Sequence, residues 1–313
     1  MAKVKKRLPI IGKGISYLES IKLPGFEGMS LKELLDIYVT GIIKGALTAR
    51  ASSIAFSFFL ALFPFALFLL TLIPYVPIEG FQEDFISLIF SAVPSQNAKL
   101  AISSVINDIA TNKYGELVSL GFLLSIFLMT NGVNAILNNF EYTFHGIETR
   151  TVLRQYIVSL LITLLLALLL IITVTVIIVL EVMIHQLDLK GVIHNVDFWN
   201  RFIQVIFLIL FVIISLSLLF YYGTKEGRIL SFFSPGTILT TILLIVNFKI
   251  FGNYIEKFGE YNRIYGSIGT VIVIMLFIYL NSIILLLGFE LNTSLSKLHK
   301  LRIKKIEQKA GNT

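Results

Sequence analysis

The sequence predicts an all-α integral membrane protein: a six-transmembrane-helix bundle with an N-terminal interfacial amphipathic helix and short amphipathic helices in the first outer loop. Three observations predict it. Hydrophobic residues make up 56% of the 313 and charged residues only 14%, where a water-wetted surface normally needs about a quarter charged. The apolar residues are gathered in blocks longer than a soluble core requires, with a mean hydropathy of +0.85. Lysine and arginine, finally, fall unevenly on alternate connections.

A helix rising ~1.5 Å per residue needs about 20 apolar residues to cross a ~30 Å hydrocarbon layer. Uncharged stretches that satisfy this run from Ala51 to Ile73, Leu117 to Phe140, Gln155 to Leu180, Phe202 to Thr224 and Ile264 to Phe289. A sixth, Ile229 to Ile255, is interrupted only by Lys249, and Pro235-Gly236 marks a helix start within it. Lipid offers the backbone no partners, so each block is expected as a helix. The expected spans are about 51–73, 117–140, 155–180, 202–224, 235–255 and 264–290. Pro64 removes one backbone hydrogen bond from the first and should bend it.

If the N-terminus is cytoplasmic, nineteen of the 26 basic residues lie on the inside and six outside, with Lys249 in a span. That obeys the positive-inside rule. Both ends are strongly basic, so an even number of spans is expected, which supports the charged fifth helix. The net charge of +7 is then read as topology and anionic headgroups rather than nucleic acid. The first twenty residues carry charge but no apolar core or small-residue cleavage site, so the first span is expected to direct insertion. The chain divides into a basic segment 1–29, a membrane domain 30–298 and a basic tail 299–313, with both termini at the cytoplasmic face of an inner membrane.

From Ser30, residues Leu31, Leu34, Leu35, Tyr38, Val39, Ile42, Ile43 and Ala46 share one helical face. Ser30 with Glu33 forms a capping box, and Met29 is placed to staple against Leu34. This helix is expected to lie at the interface and turn into the first span. The stretch Phe81 to Asn112 holds two more amphipathic pieces separated by Pro94, expected to cap the outer face.

The most specific pattern lies in the C-terminal third: Pro235-Gly236, Lys249 with Phe251 and Tyr254, Tyr261-Asn262, Tyr265-Gly266 and Leu287-Gly288-Phe289-Glu290-Leu291-Asn292. It resembles the YihY/BrkB family of bacterial inner-membrane proteins over roughly residues 30 to 298, and the first span with Pro64 looks like that family's opening helix. One departure is that the single Trp, Trp199, falls in an expected outer loop rather than in the fifth helix. The resemblance implies six helices with both termini cytoplasmic. Some relatives carry virulence or serum-resistance labels, others an old label as a tRNA-processing ribonuclease, and envelope lipid transport is among the proposals. The resemblance supplies no reaction.

Polar groups inside a membrane are costly, which makes each a functional candidate. Lys249 lies about 14 residues into its helix, where it either meets an anionic headgroup or solute or snorkels to the outer interface. Asn131, Asn134 and Asn138 line one face of the second span at i, i+3 and i+7, followed by Asn139. That stripe suits a hydrated groove or interhelical hydrogen bonds. Glu290 and Glu141 sit at inner helix ends, facing headgroups, pairing with Arg150 or Arg50, or moving protons. Arg50 itself is expected as an interfacial anchor. Tyr261, Asn262, Arg263 and Tyr265 precede Gly266 and Gly269, an arrangement for either a belt and turn or a substrate gate. Pro64, Pro235, Gly236, Gly266, Gly269 and Gly288 are read as structural.

Cysteine is absent, which excludes thiolate chemistry and disulfides. The four histidines, His145, His185, His194 and His299, show no metal-ligand spacing, the acidic residues are scattered, and no phosphate loop or GxSxG elbow appears. No enzyme activity, metal, cofactor or nucleic-acid partner is expected. The function that fits is transport or handling of an anionic envelope component such as a lipid. The alternative is a non-transporting scaffold for envelope assembly with an envelope protein as partner.

Overall fold

A computed structural model describes residues 47–72, 115–141, 150–191, 195–224, 231–257 and 267–310, with isolated positions at 20, 30, 32, 33, 35, 36, 39 and 87. Among the described residues six helices form: α1 Leu47–Leu72, α2 Gly115–Glu141, α3 Val152–Leu189, α4 Val196–Gly223, α5 Pro235–Lys257 and α6 Ser267–Ala310. Five are long and apolar enough to cross a membrane: all but α1, whose apolar run among described side chains is Leu47–Leu62. The protein is a helical membrane protein.

The local chemistry explains the helix ends, and three of them differ from expectation. α3 continues past Leu180 to Leu189, stopping where Gly191 takes φ +71° and donates its N–H to the Asp188 carbonyl at 2.8 Å. A left-handed turn of this kind suits glycine, which lacks a Cβ. α4 then starts at Val196, six residues early, because the Asn195 side chain accepts from the Phe198 N–H at 3.1 Å. Trp199 therefore sits in the first turn of α4 rather than in a loop. α6 does not end near Phe289. No glycine or proline follows Gly288 until Gly311, and Leu, Lys, Arg, Glu and Gln favour helix, so it runs unbroken to Ala310. The expected boundary at 298/299 falls inside that helix. α5 begins at Pro235, as expected, with Ser234 as its cap.

In the N-terminal stretch the Ser30–Glu33 box is present: the Ser30 N–H donates to Glu33 Oε2 at 2.8 Å and the Glu33 N–H to Ser30 Oγ at 3.2 Å. Met29, and all of Phe81–Asn112 except position 87, lie outside the described residues.

Each helix packs against the next in the chain, and α6 returns to α1, closing a ring. One cluster of buried apolar residues sits at one end of it, while α3 stays buried as far as Ile184 and Phe251 and Val273 are buried on α5 and α6. Leu47, Ala51 and Ile54 of α1 meet Ile136, Leu137 and Phe140 of α2, Leu216, Leu219 and Phe220 of α4, and Leu285, Leu286 and Phe289 of α6. Phe140 and Phe289 stack with ring centroids 3.9 Å apart. We call this the collar end. Lipid tails are as apolar as these side chains, so the stabilisation comes from close packing rather than from leaving water. α4 differs: it has no buried residue from Val196 to Ser215.

Exposed aromatic residues mark both ends of α4. Phe198, Trp199 and Phe202 cluster at its start and Tyr222 is exposed at its end. The 23 steps from Trp199 to Tyr222 rise ~35 Å, matching a bilayer with amphipathic rings at both interfaces.

Candidate functional site: a buried polar collar

The apolar core at the collar end is crossed by a set of polar side chains that join the helix ends. Arg50, at the start of α1, is 7% exposed. Its Nη1 donates to Oε1 of Glu290 on α6 at 2.8 Å, and Glu290 is 2% exposed. Its Nε and Nη2 donate to the Asn139 carbonyl at 3.1 and 2.6 Å. The last carbonyls of a helix have no intrahelical partner and carry negative partial charge, so a guanidinium there satisfies both the acceptor and the dipole. Asn139 turns its own amide back to the Ala135 carbonyl at 2.7 Å. Arg50 is thus a buried tie between three helices, not the interfacial anchor expected from its place at the edge of an apolar run. Its partners lie 89 and 240 positions away.

Arg150 plays the corresponding part for α4. Its Nη1 and Nη2 donate to the Gly223 and Tyr222 carbonyls at 2.7 and 3.0 Å, and its amide donates to Glu141 Oε1 at 3.2 Å. Glu290 therefore pairs with Arg50, and Glu141 is engaged by the backbone of Arg150.

The α5–α6 seam is closed by Asn292. Its Oδ1 accepts from the Gly236 N–H at 2.9 Å and its Nδ2 donates to Ser234 Oγ at 2.7 Å. Ser234 Oγ also accepts from the Thr237 N–H. The first turn of α5 is thereby satisfied by side chains from α6 and its own cap. This requires backbones in close approach. A Cβ on Gly236 would strike Asn292 and the Gly288 carbonyl, and one on Gly288 would strike Thr240. The structural reading of Gly236 and Gly288 has this physical content.

The asparagine stripe is divided. Asn134 accepts from Ser159 Oγ at 3.1 Å, joining α2 to α3, while Asn131 and Asn138 are half-buried beside it. Lys249 is not brought to this stripe. It is exposed on α5, about 200° around the helix from Asn247 at 3.6 residues per turn. Asn247, which the sequence reading passed over, donates to Asn281 of α6 at 3.1 Å. Also overlooked were Asn292 and the Gln204–Glu181 hydrogen bond at 2.8 Å between α4 and α3. Their only signal was polarity within apolar runs, which does not name a partner. Gly269 is buried. Tyr261, Asn262, Arg263, Tyr265 and Gly266 lie outside the described residues, and of Pro64 only its helical backbone within α1 is described. Among the described residues no three His, Asp or Glu side chains converge as a metal site would require.

Comparison with known proteins gives a consistent answer. A family profile described as "Virulence factor BrkB" matches residues 39–312. A Bacillus subtilis relative named as a ribonuclease-like protein, YfkH, is 29% identical over 277 residues, covering 87% of this chain and 96% of its own. UPF0761 membrane proteins of Pseudoalteromonas translucida and Xanthomonas axonopodis are 37% and 39% identical over 62 residues, 20% of this chain and 21% and 15% of theirs. No solved structure matches. With the profile spanning most of the sequence and all six helices, the chain belongs to the YihY/BrkB family of membrane proteins.

Proposed function

We propose that the chain carries an anionic envelope component, a lipid, across a bacterial inner membrane through six spans with both termini in the cytoplasm. The collar end is then the cytoplasmic one, in keeping with the basic residues on that side. The single observation that carries the reading is the one-sided burial of α4, whose neighbour α3 is buried along its length from Gln155 to Ile184. A bundle that only holds its shape buries a stripe along every helix, yet α4 buries nothing before Leu216. A helix packed at the collar and exposed over the rest of its length suits a carrier closed towards the cytoplasm. The ribonuclease-like name of YfkH transfers poorly, since the carboxylates at hand have structural partners: Glu290 on Arg50, Glu141 on the Arg150 amide, Glu181 on Gln204. We read the protein as non-enzymatic.

The test is transbilayer movement of phosphatidylglycerol in proteoliposomes against protein-free vesicles and against a Lys249→Gln variant. Acceleration by the wild type supports transport, and its loss in the variant places Lys249 on the path. A wild-type rate equal to that of empty vesicles would sink the carrier reading. One feature favours a scaffold instead: α6 continues about 20 residues, ~30 Å, past Glu290 with six basic residues along it.

A further inference from the structure

A cleft opens at the collar between the last turn of α4, the residues leading into α5, and α6. It measures about 330 Å³ with its mouth, near the lower end of the volumes that hold small ligands, ~300–1,000 Å³. Thr224, Ser231, Ser234, Asn292, Thr293 and Ser296 give it a polar wall of hydroxyls and one amide. The rings of Tyr221, Phe232 and Phe289 also line it, the first two with centroids 5.8 Å apart. Hydrogen-bonding capacity remains in this wall. The Thr293 hydroxyl donates to the Phe289 carbonyl at 3.0 Å and the Ser231 hydroxyl to the Phe233 carbonyl at 3.1 Å, which leaves lone pairs on both oxygens. Ser296 is 3% exposed, and its hydroxyl makes no hydrogen bond among the described residues. Ser282 and Thr293 of the same helix turn their hydroxyls back to the carbonyl four residues earlier. Ser296 does not.

We propose that this cleft holds the glycerol headgroup of an anionic phospholipid. This rests on the carrier reading and names the part of the lipid that is recognised. Donors and acceptors set beside aromatic rings match a group that presents hydroxyls on an apolar carbon frame. A bare ammonium would meet the positive end of α5 at Ser234. A bare phosphate, an acceptor throughout, would meet oxygens whose hydrogens are already given to carbonyls, as at Thr293 and Ser231. A hydroxyl both donates to those oxygens and accepts from Ser296. The depth fits as well: Tyr222 and Phe233, next in the chain to residues of the lining, are exposed aromatic side chains of the kind that mark a lipid–water interface. Charge for the lipid phosphate lies at the same end. Lys297 and Lys300, both exposed, follow Thr293 and Ser296 by four residues and so share their side of α6 one turn further along.

Binding is read by lipid titration in detergent followed by native mass spectrometry. The wild type should bind dioleoylphosphatidylglycerol about 10-fold more tightly than dioleoylphosphatidic acid, which keeps the phosphate and lacks the glycerol, a ratio that one or two hydrogen bonds supply. Ser296→Ala removes the unpartnered hydroxyl and no hydrogen bond within the protein. Its unfolding midpoint should be unchanged or raised, while the preference falls to about 3-fold or less. Ser296→Leu fills the cleft and should abolish the preference. Ser217→Ala is the control, because that hydroxyl is also buried and without a partner but does not line the cleft. Its preference should equal that of the wild type. Equal binding of the two lipids by the wild type, or a Ser296→Ala protein as selective as the wild type, overturns the headgroup site. Free sn-glycerol 3-phosphate that displaces the lipid at equal concentration makes the free compound the occupant, and overturns the lipid proposal too. The carrier reading has a separate readout. Selective binding without translocation in proteoliposomes keeps the site and removes the carrier, and translocation without selectivity does the reverse.

Discussion

Arg50 and Glu290 stand 240 positions apart in the chain and meet at 2.8 Å, both almost wholly withdrawn from the surface. The contact closes the ring, since it binds the first helix to the last. It also orders the consequences of substitution. A buried pair adds little net stability over a well-packed apolar replacement, but leaving one member alone costs ~3–5 kcal/mol.

Glu290→Ala should therefore lower the thermal unfolding midpoint in detergent sharply. Arg50→Met with Glu290→Leu should recover most of the loss. A double variant no more stable than either single would show that the ion pair, rather than the shape of the site, holds the seam.

Gly288→Ala places a methyl group against Thr240, and α5 must move away from α6 to accept it. We expect a lower yield of monodisperse protein on size exclusion. Thr240→Ala in the same chain removes the nearest obstructing atom and should restore part of that yield. Equal yields for wild type and Gly288→Ala would refute the close approach.

Asn292→Ala strands the Gly236 N–H at the start of α5, at a cost of ~1–3 kcal/mol for an unsatisfied buried group. Asn292→Asp keeps the acceptor for Gly236 but loses the donor to Ser234. Chemical denaturation should rank the three as wild type, then Asn292→Asp, then Asn292→Ala.

Lys249→Gln should leave stability within ~0.5 kcal/mol of wild type, as exposed substitutions do. A large drop in its unfolding midpoint would mean that Lys249 has a structural partner, and its use as a transport probe would be lost.

Much of the architecture is legible in one dimension because a bilayer imposes length. Five apolar blocks mapped onto helices within a few residues at most ends, and Pro235 marked the start of the charged fifth one. The ends that moved are those set by a single local device: the Asn195 cap, the Gly191 turn, and the lack of any breaker after Gly288. The collar was only half legible. The sequence leaves Glu290 between headgroups, Arg50 or Arg150 and proton movement, and it places Arg50 at the interface, because an arginine at the edge of an apolar run looks the same whether its helix faces lipid or protein. Lys249 drew attention by its charge while Asn247, two residues earlier, bridges to α6. Which of two neighbours faces inward depends on helix rotation, and rotation is decided by helices far away in the chain.

The unbroken course of α6 makes it a mechanical element. Ala310 lies 20 residues beyond Glu290, ~30 Å along a stiff rod, so a tilt of about 10° at the level of the ion pair displaces the tip by ~5 Å. Any change of tilt beside Arg50 is thereby magnified at Ala310, so the last turn of α6 travels further than any residue of the collar.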